Sequence, residues 1–127
     1  VALREFASPE WATRGFVLAY GHAKGLLTAF VTPESNLLSS LPPYLPAAAL
    51  VRIQAAERSE GAAYVPVVFV RPPGSTEPPE ITMRLGLRRS VLGWGVDYRL
   101  TDREFARCGR HAREWGEYRG SPIVRDP

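Results

Sequence analysis

The clearest pattern in the chain runs from Ala63 to Leu100. Ile81, Met83, Leu85 and Leu87 are apolar, and Thr82, Arg84, Gly86 and Arg88 between them are polar or small. Alternation with a period of two predicts a strand with one buried and one wet face. The pattern resumes at Trp94, Val96, Tyr98 and Leu100, with Gly95, Asp97 and Arg99 opposite. Residues Arg89 to Gly93 between the runs include a glycine, so the pair predicts a hairpin. Ahead of it, Tyr64-Val65-Pro66-Val67-Val68-Phe69-Val70 is apolar on both faces and rich in β-branched residues, which predicts a covered strand. Pro66 cannot donate to a ladder and is expected at a bulge or on an unpaired side. Val51, Ile53 and Ala55 alternate with Arg52, Gln54 and Ala56, and turn residues follow from Glu57 to Gly61. The link from Arg71 to Glu80 is proline-rich and predicts an exposed loop. Together the runs predict a four-stranded antiparallel meander from Leu50 to Leu100, whose apolar face something else must cover.

Helical spacing lies on either side of the meander. Ser8-Pro9-Glu10 is a helix-start signature, with Ser as cap, Pro at the first helical position and Glu in the first turn. Ala12, Phe16, Tyr20, Ala23, Leu27 and Phe30 then recur at steps of three and four, which is one face of a helix. Gly15, Gly21 and Gly25 each cost about 1 kcal/mol relative to Ala inside a helix. The expectation is a helix over 9–20, a break near Gly21-His22 and a second helix over 24–31, ended by Thr32-Pro33-Glu34-Ser35. Residues 36–50 read as irregular, with a helical turn at Ala47–Ala49. At the far end Thr101-Asp102-Arg103-Glu104 reads as a capping box, followed by an apolar face of Phe105, Cys108, Ala112 and Trp115 and an extended tail.

The length of 127 residues suits one domain with a single core: a core over 8–100 and a C-terminal helix and tail over 101–127. No apolar run approaches a membrane span. The single cysteine, Cys108, excludes an internal disulfide and a multi-cysteine metal site, and it reads as a small buried hydrophobe. Basic residues are almost all arginine, with Lys24 as the one lysine, and the net charge is +3. That balance permits nucleic-acid binding without arguing for it. A sequence starting at Val1 fits a trimmed chain or a mature exported protein.

An N-terminal helical pair opening Ser-Pro-Glu leads to Leu27-Thr28-Ala29-Phe30-Val31-Thr32-Pro33-Glu34. A meander follows, with Gly61-Ala62-Ala63-Tyr64-Val65-Pro66-Val67 opening one strand and Gly93-Trp94-Gly95-Val96-Asp97 in the last. Over residues 8–100 this order resembles the superfamily of nuclear transport factor two, ketosteroid isomerase and scytalone dehydratase, in particular its small bacterial envelope proteins. The resemblance implies a curved sheet wrapped around the helices as a cone, whose open end can hold a pocket. It implies nothing about catalysis, since members of the superfamily include enzymes, binders and dimerising domains. The tail after Leu100 departs from the family pattern, in which the domain often stops with its last strand.

An enzyme of this type needs a carboxylate or imidazole inside the cone. The candidates are His22, Asp97 and His111. Asp97 alternates with Trp94, Val96 and Tyr98, so it is expected on the wet face as a solvated side chain. His22 sits at the expected helix break, where a capping or surface role fits, and His111 reads as a surface residue. No Ser/His/Asp spacing, glycine-rich phosphate loop or metal-ligand cluster stands out, so no cofactor or metal is implied. Arg84 and Arg88 share the wet face of one strand, with Arg99 on its neighbour, and could form a positive stripe. The bland alternative is a solvated face whose arginine stems lie along apolar surface. Tyr20, Phe30 and Trp94 are core by default, and pocket-lining if the cone is open.

The sequence therefore predicts an α+β domain: a curved antiparallel sheet packed on N-terminal helices, with an added C-terminal helix and tail. The leading functional reading is a non-catalytic binding or assembly domain, exported or envelope-associated, with a protein partner or a second copy as its target and Arg84, Arg88 and Arg99 as its surface. One alternative is a small-molecule-binding protein or enzyme that takes a small apolar ligand in the cone. The other is nucleic-acid binding through the arginine stripe, with affinity falling steeply with salt.

Overall fold

The structure is a computed structural model that describes residues 7–22, 24–37, 43–71, 79–101, 115–118 and 122–127. Three short helical elements open it: α1 (Pro9–His22), a 3-10 helix η1 (Lys24–Phe30) and α2 (Pro33–Leu37). The strands are β1 (Leu50–Ile53), β2 (Glu57–Ser59), β3 (Ala62–Val70), β4 (Glu80–Ser90), β5 (Gly93–Val96) and β6 (Ile123–Val124). They form one strongly curled half-barrel sheet in the order β5-β4-β3-β1-β6, with β2 also paired to β3. The domain is α+β, and the N-terminal helices pack on the sheet.

The start of α1 follows its sequence signature. Ser8 Oγ accepts the Trp11 N–H at 3.2 Å, and the Ser8 carbonyl accepts the Ala12 N–H. Ala12, Phe16, Val17, Ala19 and Tyr20 make the buried face. The helix runs on to His22, and the next segment is a 3-10 helix rather than the expected α-helix. At three residues per turn, Leu27 and Phe30 still share one side. Gly15, a cost by propensity alone, is where the two segments meet: a Cβ on Gly15 would lie 2.4 Å from Phe30 Cε1. The 3-10 segment ends at Phe30, just ahead of Thr32-Pro33-Glu34 as expected, and the same residues also start α2. The Thr32 hydroxyl accepts the Ser35 N–H at 3.3 Å, repeating the Ser8-Pro9-Glu10 arrangement.

The central ladder follows the alternation. β3 and β4 pair antiparallel from Ala62↔Arg88 to Val70↔Glu80, and Ile81, Met83, Leu85 and Leu87 are buried. Ser90↔Gly93 closes the β4–β5 hairpin through Val91 and Leu92, with Gly93 at φ 108°. The expected strand over Val51–Ala56 ends at Ile53 as β1, and β2 is formed by Glu57–Ser59, residues expected in the turn; both strands are antiparallel to β3. Four steps of chain run from Ile53 to Glu57 where three run from Val67 to Tyr64, so the first side carries an extra residue, as in a bulge. Pro66 lies opposite this break, its carbonyl accepting the Gln54 N–H at 2.9 Å.

Two expectations about the end of the domain are corrected. Tyr98 and Leu100 do not continue β5: residues 98–101 are helical. Asp97 caps the turn, accepting the Arg99 N–H on Oδ1 at 2.9 Å, while its carbonyl accepts the Thr101 N–H at 3.0 Å. Thr101 is therefore inside a helical turn rather than at its cap. The tail also joins the sheet: β6 lies parallel to β1, with Leu50↔Ile123 and Val51↔Val124, which makes the sheet mixed rather than purely antiparallel. The expected helical face of Phe105, Cys108 and Ala112 lies outside the described residues, as does most of the 71–80 loop.

Aromatic rings fill the concave side. Tyr98 meets Phe16 edge-on at 6.3 Å, Phe16 lies 6.4 Å from Tyr20, Tyr20 meets Tyr118 at 6.1 Å, and Tyr118 meets Phe69 at 6.2 Å. All five are buried, and tilted or edge contacts at these distances are favourable.

Candidate functional site

Three places carry the residues that the sequence singled out. The first is the interior of the curl. Tyr20 projects from the buried face of α1 and joins separate parts of the chain. Its hydroxyl accepts the Leu45 N–H at 3.4 Å and donates to Glu117 Oε1 at 3.2 Å. Around it, Tyr118 N–H donates to the Leu45 carbonyl and Ala47 N–H to the Gly116 carbonyl, both at 2.8 Å. Burial holds Tyr20 well above the ordinary phenol range, and it pushes Tyr98 and Tyr118 up to about 12. These are neutral, packed phenols that tie the tail to the helix.

The second place is a cleft of about 380 Å³ beside β5. Thr28, Ala29, Val31, Thr32 and Pro33 line one side, and Ser90, Leu92, Gly93, Trp94 and Gly95 the other. Backbone brings the sides together: the Thr32 N–H donates to the Val96 carbonyl at 3.0 Å, and a Cβ on Gly95 would lie 3.1 Å from Thr32 N. Of the expected pocket residues Trp94 lines this cleft, whereas Tyr20 and Phe30 do not. Neither Asp97 nor His22 is in its walls. Leu92 and Val91 at the hairpin tip are exposed, as is Leu26 on η1.

The third place is the outer face of β4, where the arginines gather. Arg84 pairs with Glu57, and its guanidinium lies 5.0 Å from the centre of the Tyr64 ring. Arg88 Nε donates to Asp97 Oδ2 at 3.0 Å, and Arg99 Nε lies 3.7 Å from Oδ1. The expectation of a solvated Asp97 is wrong. The side chain is 1% exposed, because the chain turns sharply after β5 and two arginines reach its carboxylate. After Glu80 at its start β4 carries no acid, and the partners of Arg84 and Arg88 come from neighbouring segments, Glu57 from β2 and Asp97 from just beyond β5. His22, in the last turn of α1, is exposed. His111 lies outside the described residues.

The chemistry open to these groups is limited by what already holds them. The oxygens of Asp97 serve a backbone N–H and two guanidinium groups, the pattern of a cap and ion pair rather than of a base facing a cavity. Among the described residues no group of His, Cys, Asp and Glu is placed to hold a metal ion. Nor is any helix among them long and apolar enough to cross a membrane. Comparison with protein-family models, curated proteins and solved structures returned no match to this chain.

Proposed function

We propose that this chain is a non-catalytic binding and assembly domain that acts through protein contacts. The observation that carries the reading is the column of Tyr98, Phe16, Tyr20, Tyr118 and Phe69 along the concave side. Rings packed in tilted and edge-to-face pairs occupy the volume that a cone-type enzyme needs for substrate, and the candidate acid–base group, Asp97, is buried under Arg88 and Arg99. The order of elements supports membership in the superfamily of nuclear transport factor two and ketosteroid isomerase. From that resemblance come an exported or envelope-associated setting and a homodimer formed through the sheet. The working surface is the outer face with Arg84, Arg88 and Arg99.

The test uses the triple variant Arg84→Ser, Arg88→Ser, Arg99→Ser. Wild type and variant are compared for self-association by sedimentation and for recovery of cross-linked partners from the source cell. Loss of those interactions in a folded variant supports the reading. Their full retention removes these arginines from it.

The Trp94 cleft favours a second reading, a site for a small apolar ligand. Its volume falls within the range of small-molecule pockets, and its walls are mostly apolar. A ligand that raises the melting temperature of wild type but not of Trp94→Ala supports this reading, and a ligand panel without effect counts against it. Nucleic-acid binding through the arginines draws less support, because Glu57 and Asp97 stand among the cations.

A further inference from the structure

We propose that Arg88 and Arg99 form a carboxylate-binding site and that its occupant is an acidic segment of a protein partner. The proposal rests on the contact-domain reading above and names the chemistry of the partner.

The site is built around a buried anion. Arg88 stands on β4 opposite Gly95, a residue with no side chain to crowd it, and Arg99 lies in the helical turn that Asp97 caps. Both arginines approach the same carboxylate through Nε, at 3.0 Å and 3.7 Å. A guanidinium used side-on through Nε keeps its Nη1–Nη2 edge turned away from that contact. This is the edge that forks onto a carboxylate with two parallel hydrogen bonds. The two arginine side chains are 48% and 59% exposed while Asp97 is 1% exposed, so the aligning group is inside and the free edges are outside. Among the described residues neither arginine has another acidic partner.

Charge selects the occupant. Two guanidinium groups and one carboxylate leave a single positive charge, which matches one carboxylate better than a dianionic phosphate. Nearby arginines on the sheet are already matched, Arg84 by Glu57 and Arg52 by Glu80. Asp97 is a positioning residue: it sets the direction of the two forks and does not touch the ligand.

The experiment measures binding of a fluorescent hexaglutamate peptide to the full chain by anisotropy at low salt. Wild type binds, and Arg88→Lys with Arg99→Lys weakens binding about tenfold or more through loss of forked, charge-assisted hydrogen bonds, although net charge is unchanged. Arg89→Gln, an exposed neighbour on the opposite face, leaves the affinity unaltered. Asp97→Asn weakens it as well, whereas attraction by net charge alone predicts tighter binding. Circular dichroism checks the fold of each variant, and the lysine pair decides the matter if Asp97→Asn is unfolded. Absence of wild-type binding, equal binding by the lysine pair, an equal loss in Arg89→Gln or tighter binding by folded Asp97→Asn overturns the proposal. Stronger competition by inorganic phosphate than by acetate overturns the assignment to a carboxylate. Failure here leaves the contact-domain reading standing, because that reading is judged by the triple serine variant and its own partners.

Discussion

Gly86 lies against Leu100 so closely that a Cβ on the glycine would fall 2.2 Å from Leu100 Cβ. The Gly86 N–H donates to Thr101 Oγ1 at 3.0 Å, and its carbonyl accepts the Asp97 N–H at 2.8 Å. The helical turn after β5 therefore crosses β4 at the one position of that strand without a side chain. Gly86→Ala is expected to cost about 1–3 kcal/mol, the usual range for overpacking, because the obstacle is a Cβ fixed to backbone. Urea unfolding of the variant measures this, and an unchanged midpoint would falsify the crossing.

Gly15 supplies a comparison. The atom that an added methyl group meets there is Phe30 Cε1, at the far end of a side chain that can rotate. Replacing Gly by Ala inside a helix also returns about 1 kcal/mol of propensity. Gly15→Ala should thus destabilise less than Gly86→Ala in the same urea series and should displace the Phe30 ring. Ring displacement appears as changed chemical shifts of the Phe30 aromatic protons.

Asp97→Ala removes a cap and leaves Arg88 and Arg99 without their shared anion. Loss of the cap alone is expected to cost about 1 kcal/mol. A larger loss than in Asp97→Asn, which keeps a hydrogen-bonding oxygen, would show that the side-chain acceptor matters to the fold. Thermal denaturation of the two variants side by side gives the comparison.

The buried phenols predict alkaline sensitivity. Tyr98 and Tyr118 are pushed from 10.0 up to about 12, and Tyr20 is raised further, each chiefly by burial. A folded-state value above the unfolded one means that the native chain retains protons the unfolded chain releases, so stability falls as pH rises. Their contribution is full below pH 10 and is lost as pH climbs from about 10 toward 12. Unfolding on alkaline titration should coincide with tyrosinate absorbance from these residues. Titration of all five tyrosines near pH 10 with the fold intact would rule it out.

Much of this architecture is local and was legible in the sequence. The period-two run from Ile81 to Leu87 placed β4 and its buried face, because a strand's alternate side chains must face opposite environments. Ser8-Pro9-Glu10 placed the start of α1, because a cap is satisfied within one turn of chain. Local signals also misled where two structures share one pattern. Trp94, Val96, Tyr98 and Leu100 alternate as a strand would, yet the chain leaves the sheet after Val96, where Asp97 caps a turn over Gly86. Thr32-Pro33-Glu34 carries the same start signal as Ser8-Pro9-Glu10, and it both follows the end of η1 and opens α2.

Tertiary structure alone decided the partners of charges and edges. That Asp97 is buried under Arg88 and Arg99, that Glu57 reaches Arg84, and that β6 lies parallel to β1 depend on contacts between distant parts of the chain. The same holds for the aromatic column, in which Tyr118 comes from the tail and Phe16 from the first helix. Periodicity specifies which face of an element is apolar, since that depends on backbone geometry over a few residues. It does not specify what covers the face or neutralises the charge opposite, since those follow from how the sheet curls and where the chain returns.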